Sequence, residues 1–239
     1  MTQTEQTTHK PRPLVDLLVS IVIPSLILMK LSGENNLGAT GALVFALSFP
    51  LVWGGFELWK YRKWNFIAIL GLVSVLLTGG IGLLKISTQW LAVKEAAIPG
   101  IIAVAILISA RTRHPLVREL LLNPSVLDVE KIHQKLAEHN AVELFEMRMV
   151  RATYILSGTF FFSSVMNYIL AKWIVISVAG TEAFNAELGR LTLLSYPMIA
   201  IPSMIMMMGI FYYLWRTIRK LTGLTLEEVL PTMNASKSH

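Results

Sequence analysis

The hydrophobic and polar positions along the chain fall into blocks rather than into a fine alternation. Apolar runs of about twenty residues recur, each long enough as helix to cross a ~30 Å hydrocarbon layer. Polar and basic segments separate them. Six such runs are expected to be membrane-spanning helices, because inside lipid a helix satisfies its own backbone hydrogen bonds. They cover Leu14 to Leu31, Leu37 to Trp59, Phe66 to Leu84, Trp90 to Ala110, Ala152 to Ile176, and Leu191 to Trp215. The expected fold class is an all-α polytopic bundle with a short cytoplasmic helical insert. The expected division is a tail at 1–13, a membrane domain at 14–220 and a second tail at 221–239.

The segments between the runs refine this picture. Ser32 to Asn36, Lys85 to Gln89 and Ser177 to Arg190 are expected to be loops on one side, the third longer than the others. On the other side, residues 111–151 form the insert. Asn123-Pro124-Ser125 reads as a turn and a helix start. Val126, Val129, Ile132 and Leu136 then form an apolar stripe at helical spacing, which Glu138-His139-Asn140 interrupts. The stripe is expected to lie against the membrane or the bundle. The apolar run after Pro13 lacks a small-residue cleavage site and is expected to stay as a first span. Pro50, Pro99, and Pro197 with Pro202 fall in alternate runs, a faint threefold repetition that chance also explains.

Composition agrees with the blocks. Of 239 residues, 54% are hydrophobic and only 15% charged, where a soluble domain carries about a quarter. The formal net charge of +6 does not point to nucleic acid, because the basic residues collect at the ends of the apolar runs. One set of ends holds Lys10, Arg12, Lys60, Arg62, Lys63, Arg111, Arg113, Arg118, Arg148, Arg151, Arg216, Arg219 and Lys220. The opposite ends hold Lys30, Lys85, Lys172 and Arg190. By the positive-inside rule both termini are expected in the cytoplasm. The six tryptophans fall mostly near the expected interfaces. The chain has no cysteine, which excludes disulfides, thiolate nucleophiles and Cys-based metal sites.

Against this background a few polar residues stand out. Lys94 and Glu95 sit inside the fourth run, where ionised side chains are costly and often functional. Adjacent helical residues point about 100° apart, so each is expected to find its own partner. Lys94 can also reach outward along its stem; Glu95, with a shorter stem, does so less easily. Asn167 in the fifth run must bond across helices or to water. Pro197 removes a donor next to Ser195 and Tyr196. Lys94, Glu95, Asn167, Tyr196 and Glu187 together make a candidate polar pocket near the outer leaflet; Glu187 otherwise reads as a solvated loop acid. Asp16 and Glu57 read as structural acids near helix ends.

Gly79, Gly80 and Gly82 follow no strand and do not complete a nucleotide fingerprint, so close helix packing is the expected use. Met204, Met206, Met207 and Met208 read as packing. His114, His133 and His139 lack the spacing of a helical zinc site, so neither a metal nor a cofactor is expected.

Three stretches carry a resemblance. Thr78-Gly79-Gly80-Ile81-Gly82-Leu83-Leu84, Trp90-Leu91-Ala92-Val93-Lys94-Glu95 and Asn167-Tyr168-Ile169-Leu170-Ala171-Lys172-Trp173 resemble the intracellular septation protein A family of bacterial inner-membrane-spanning proteins. The closer match is a branch with no assigned role, marked by Thr181-Glu182-Ala183-Phe184-Asn185-Ala186-Glu187-Leu188-Gly189. Asn185-Ala186 stands where the septation branch has an aromatic-lysine pair. The resemblance covers most of the chain and carries over Gly79, Gly80, Lys94 and Asn167, with no catalytic residue. It implies a non-enzymatic envelope protein, with the lipid bilayer, other envelope or division membrane proteins and further copies of itself as expected partners. A transporter or channel for a small solute, ion or lipid is the second reading, built on the polar pocket.

Overall fold

In the computed structural model, the described residues are 18–61, 66–112 and 127–229. Asp16, Arg62, Lys63, Trp64, His114, Asn123-Pro124-Ser125 and Val126 lie outside them, as do the side chains of Glu57, Trp59 and Lys60. The described residues are helical, with no strand. A π-helical stretch, Leu18–Val22, leads into α1 (Ile23–Lys30). Then come α2 (Gly38–Tyr61), α3 (Phe66–Leu83), α4 (Gln89–Ser109), α5 (Val129–Glu138) and α6 (Val142–Ile174). Helix α7 (Glu182–Ser195) continues through a second π-helical stretch, Tyr196–Ala200, into α8 (Ile201–Thr222), and α9 (Leu226–Val229) follows.

Four segments are long and apolar enough to cross a membrane: Gly38–Phe56, Gln89–Ser109, Val142–Ile174 and Glu182–Thr222. Two of them exceed what hydrophobicity alone predicts. Helix α6 has 33 residues, about 50 Å at 1.5 Å per residue. Its first three turns carry Glu143, Glu146, Arg148 and Arg151, so apolar composition stops short of where the helix begins. Residues 177–190 are likewise not a plain loop. From Glu182 onward they form α7, whose Phe184, Asn185, Leu188 and Gly189 are buried.

The chain divides into two compact units. The first, residues 18–94 and 170–195 of those described, holds α1 to α3, the start of α4, the end of α6, and α7. Its core joins Ile27, Leu28, Ala42, Leu43, Ala46, Leu91, Phe184 and Leu188. Small residues set its spacing. A methyl group at Gly79 would stand 2.8 Å from Leu47 Cδ1, and one at Gly82 would strike Leu43. Leu43 and Leu47 are one turn apart on α2, so α3 lays these glycines along one ridge of it. Gly80 faces open space instead.

The second unit, residues 95–169 and 196–229 of those described, holds most of α4 and α6, with α5, α8 and α9. The insert stripe is buried here: Ile132 and Leu136 join Phe145, Met149, Ile210, Leu214 and Ile218 in one cluster. Asp128 caps α5 by accepting from the Lys131 N–H at 3.0 Å. Asn140, at φ 51°, turns the chain from α5 into α6, a left-handed position that Asn tolerates. Gly223, at φ 73°, ends α8.

The segment after Gly223 folds back onto α5. Asp128 N–H donates to the Val229 carbonyl at 2.8 Å, and Lys131 Nζ donates to the Glu228 carbonyl at 3.3 Å. Thr225 and Glu228 form a capping pair: the Thr225 N–H and hydroxyl both donate to Glu228 Oε2, at 2.8 and 3.0 Å. The Thr225 N–H, then its hydroxyl, then the Lys131 and Lys135 charges hold the Glu228 carboxyl below the ordinary glutamate range. A carboxylate with a lowered folded pKa stabilises the fold above its unfolded pKa and loses that contribution as pH falls through the folded value. Acidification below about pH 4 should therefore loosen residues 225–229. Amide exchange of those residues in detergent, followed from pH 7 to pH 3, should accelerate sooner on this clasp than on α8. Glu228→Gln should remove the acid step.

Candidate functional site

Lys94 lies in the second turn of α4, and only 9% of it is exposed. The side chain does not run out along α4 to the headgroup level. Its ammonium turns to α3, donating to Thr78 Oγ1 at 2.7 Å and Ser74 Oγ at 3.2 Å, with the Ser74 carbonyl at 3.5 Å. Thr78 in turn donates to the Ser74 carbonyl at 3.0 Å. Ser74 and Thr78 are four residues apart, so they face the same way on α3. The result is a cation seated among three neutral oxygens, each hydrogen bond strengthened by the charge. The apolar pattern singles out Lys94 but not its two hydroxyl partners. Ser and Thr commonly bond their own preceding turn in membrane helices, and so send no separate signal.

Glu187 belongs to the same unit but is engaged elsewhere. Its Oε2 accepts from the Ile176 and Ser177 N–H groups at 3.0 and 2.9 Å, and its Oε1 accepts from the Ser177 hydroxyl at 2.7 Å. Those amides lie just past the end of α6, so Glu187 braces the connection to α7 rather than standing in solvent.

Glu95, Asn167 and Tyr196 belong to the second unit. Glu95 and Asn167 are half-buried, and Tyr196 is exposed at the start of the π-helical stretch. Asn167 does not bridge helices through its amide. It donates to the Ser163 carbonyl, one turn earlier on α6, at 2.8 Å. Between α4, α6 and α8, three serines of α6 supply side-chain bonds. Ser157 donates to the Ala103 carbonyl at 2.8 Å, Ser164 donates to the Ala96 carbonyl at 2.8 Å, and Ser163 and Ser203 share a bond of 2.9 Å. Ser164 lies against Gly100, where a methyl group would stand 3.0 Å from its hydroxyl. Pro99 and Gly100 thus give α4 a slim face to α6.

Asn185 is an enclosed polar side chain that the sequence pattern passes over. It is fully buried on α7. Its Nδ2 donates to Ser32 Oγ at 3.0 Å and to the Ala39 carbonyl at 2.7 Å. The Ser32 hydroxyl donates to the Leu28 carbonyl at 2.8 Å. One amide thereby ties α7 to the end of α1 and the start of α2. Its Oδ1 is buried without a hydrogen-bond partner.

Among the described residues, no three His, Asp or Glu side chains converge as a metal site would require. No family model, curated protein or solved structure matches the chain.

Proposed function

We propose that the chain is a multi-pass protein of the bacterial inner membrane. It crosses the bilayer six times, keeps both termini in the cytoplasm, and acts without catalysis through lateral contacts with envelope or division proteins. The observation that carries this reading is where the large apolar side chains point. Val44, Phe45, Val52, Leu76, Ile101, Ile108, Phe161, Ile205 and Phe211 are exposed along the helices. A water-soluble protein rarely leaves so much apolar surface uncovered. The four long apolar helices supply four crossings. Helix α3, with 18 residues, has about the minimum length for a fifth. The sixth is the apolar run from Leu14 to Leu31, whose described part is Leu18 to Leu31. The basic ends at Arg148, Arg151, Arg216 and Arg219 support the orientation.

The absence of cysteine makes the topology simple to test. Ser87→Cys should react with a membrane-impermeant maleimide in intact spheroplasts, whereas Ser236→Cys should react only after permeabilisation. Reaction of both from the same side would end the six-span reading. Localisation at the division site, with division or envelope proteins recovered by crosslinking, is the outcome expected of the interaction role.

The buried Lys94 favours a second reading, transport of a small solute, ion or lipid. An ionised group inside a membrane helix is costly and commonly marks a transport pathway. Under that reading, proteoliposomes carrying Lys94→Met or Glu95→Gln should lose a flux that the wild type shows. Absence of flux in the wild type across solute classes would leave the interaction role.

A further inference from the structure

We propose that the first unit carries a binding site for the headgroup of an anionic phospholipid, between the start of α4 and the end of α6. The inference rests on the membrane reading above. A shallow depression of about 220 Å³ lies there, lined by Thr88, Gln89, Lys172, Val175 and Ile176. Thr88, Gln89 and Lys172 supply a hydroxyl, an amide and an ammonium, and Val175 and Ile176 supply apolar surface. That division suits a glycerophospholipid, whose phosphodiester needs donors while the adjoining glycerol and upper acyl chains need apolar contact.

Three features point to a lipid. Trp90 and Trp173, next to the lining residues, are 61% and 70% exposed, and Ile176 is 76% exposed. Exposed tryptophans at helix ends settle at the headgroup level of a bilayer, so the depression opens where phosphates lie. Lys172 is exposed and forms no ion pair among the described residues. Glu187 forms no ion pair with Lys172 among the described residues; its two oxygens accept from Ile176 and Ser177. The site therefore presents a cation with no ion-pair partner among the described residues, beside neutral donors, the arrangement by which basic pockets between membrane helices hold phosphate headgroups.

Lys85 provides an internal comparison. It is exposed in the α3–α4 connection, where its stem crosses Gly180, and it does not line the depression. A merely electrostatic attraction would respond to either lysine; a site responds to Lys172.

The test uses the full chain purified in detergent and titrated with phosphatidylglycerol or phosphatidylcholine, with bound lipids counted by native mass spectrometry. The wild type should retain phosphatidylglycerol over phosphatidylcholine. Lys172→Gln should weaken that retention about fivefold, the weight of one basic residue against an anionic surface. Lys85→Gln should retain it. Equal loss in both variants, equal retention of the two lipids, or stabilisation by inorganic phosphate matching that by phosphatidylglycerol would each overturn the lipid site. Failure of the membrane reading gives a different result: a chain that stays soluble and monodisperse without detergent.

Discussion

Gly189→Leu should cost the first unit most of its thermal stability, and Gly189→Ala should already lower it measurably. The reason is where α7 meets α1. A methyl group at Gly189 would stand 2.7 Å from the Ser25 carbonyl oxygen and 2.8 Å from Met29 Cγ, with Leu28 Cβ at 3.5 Å. The methionine can move, but the Ser25 oxygen is backbone within α1 and cannot. The two helices would have to separate along their whole contact, which also holds Ile27, Leu28 and Leu188 in the core. Overpacking of this kind costs about 1–3 kcal/mol even where the neighbours are side chains. Leucine in place of alanine adds volume where no space exists. Gly209→Ala on α8 is the matched comparison, because nothing lies within 4 Å of its added carbon. There the change relieves a helical glycine and should be neutral or stabilising by up to ~1 kcal/mol. Melting followed by size-exclusion fluorescence in detergent reads both variants. A Gly189→Ala protein that melts with the wild type would remove this contact from any role in holding the unit together.

Much of this architecture is legible in the chain because lipid-sized apolar runs have few alternative structures. The ends of the helices are less legible. Helix α6 begins ten residues before the span expected from hydrophobicity, since Glu143, Glu146, Arg148 and Arg151 continue the helix in polar surroundings. Helix α7 is hidden for a related reason. Glu182, Asn185, Glu187 and Arg190 give 177–190 the composition of a loop, yet Phe184, Leu188 and Leu191 are spaced for one buried helical face. The proline signals are partly visible: Pro197 lies within the π-helical stretch Tyr196–Ala200, and Pro202 follows it.

The five polar residues picked out by their surroundings meet different fates. Lys94 is buried rather than reaching outward along its stem, and two of the groups it bonds are hydroxyls, which carry no compositional signal. Asn167 bonds its own helix, and Glu187 closes a connection. In each case the identity of the residue is readable and the direction of its side chain is not. That direction depends on which neighbouring helix approaches, and a single sequence does not encode this locally. Asn185 shows the converse. Its sequence neighbourhood looks solvated, and only the approach of α1 and α2 makes it a buried junction.

That junction gives the second large effect. Asn185→Asp should destabilise the first unit more than Asn185→Leu, and Ser32→Ala should do so less than either. Leucine matches asparagine in size but leaves the Ala39 carbonyl without the donor it has at 2.7 Å. An unsatisfied buried acceptor costs about 1–3 kcal/mol. Aspartate at neutral pH removes both donors and also sets a negative charge against that carbonyl, in a position with no exposure. Burying an uncompensated charge costs more than losing a neutral bond. Ser32→Ala removes one of the two acceptors and leaves the bond to Ala39. Because Ser32 and Asn185 touch directly, their effects should not add. Asn185→Leu made in a Ser32→Ala background should cost less than in the wild type, by about the 1 kcal/mol of the shared hydrogen bond. Thermal melts of the four proteins in detergent close this cycle. Strict additivity would mean that Asn185 works through Ala39 alone, so that α7 is fastened to the start of α2 and not to the end of α1.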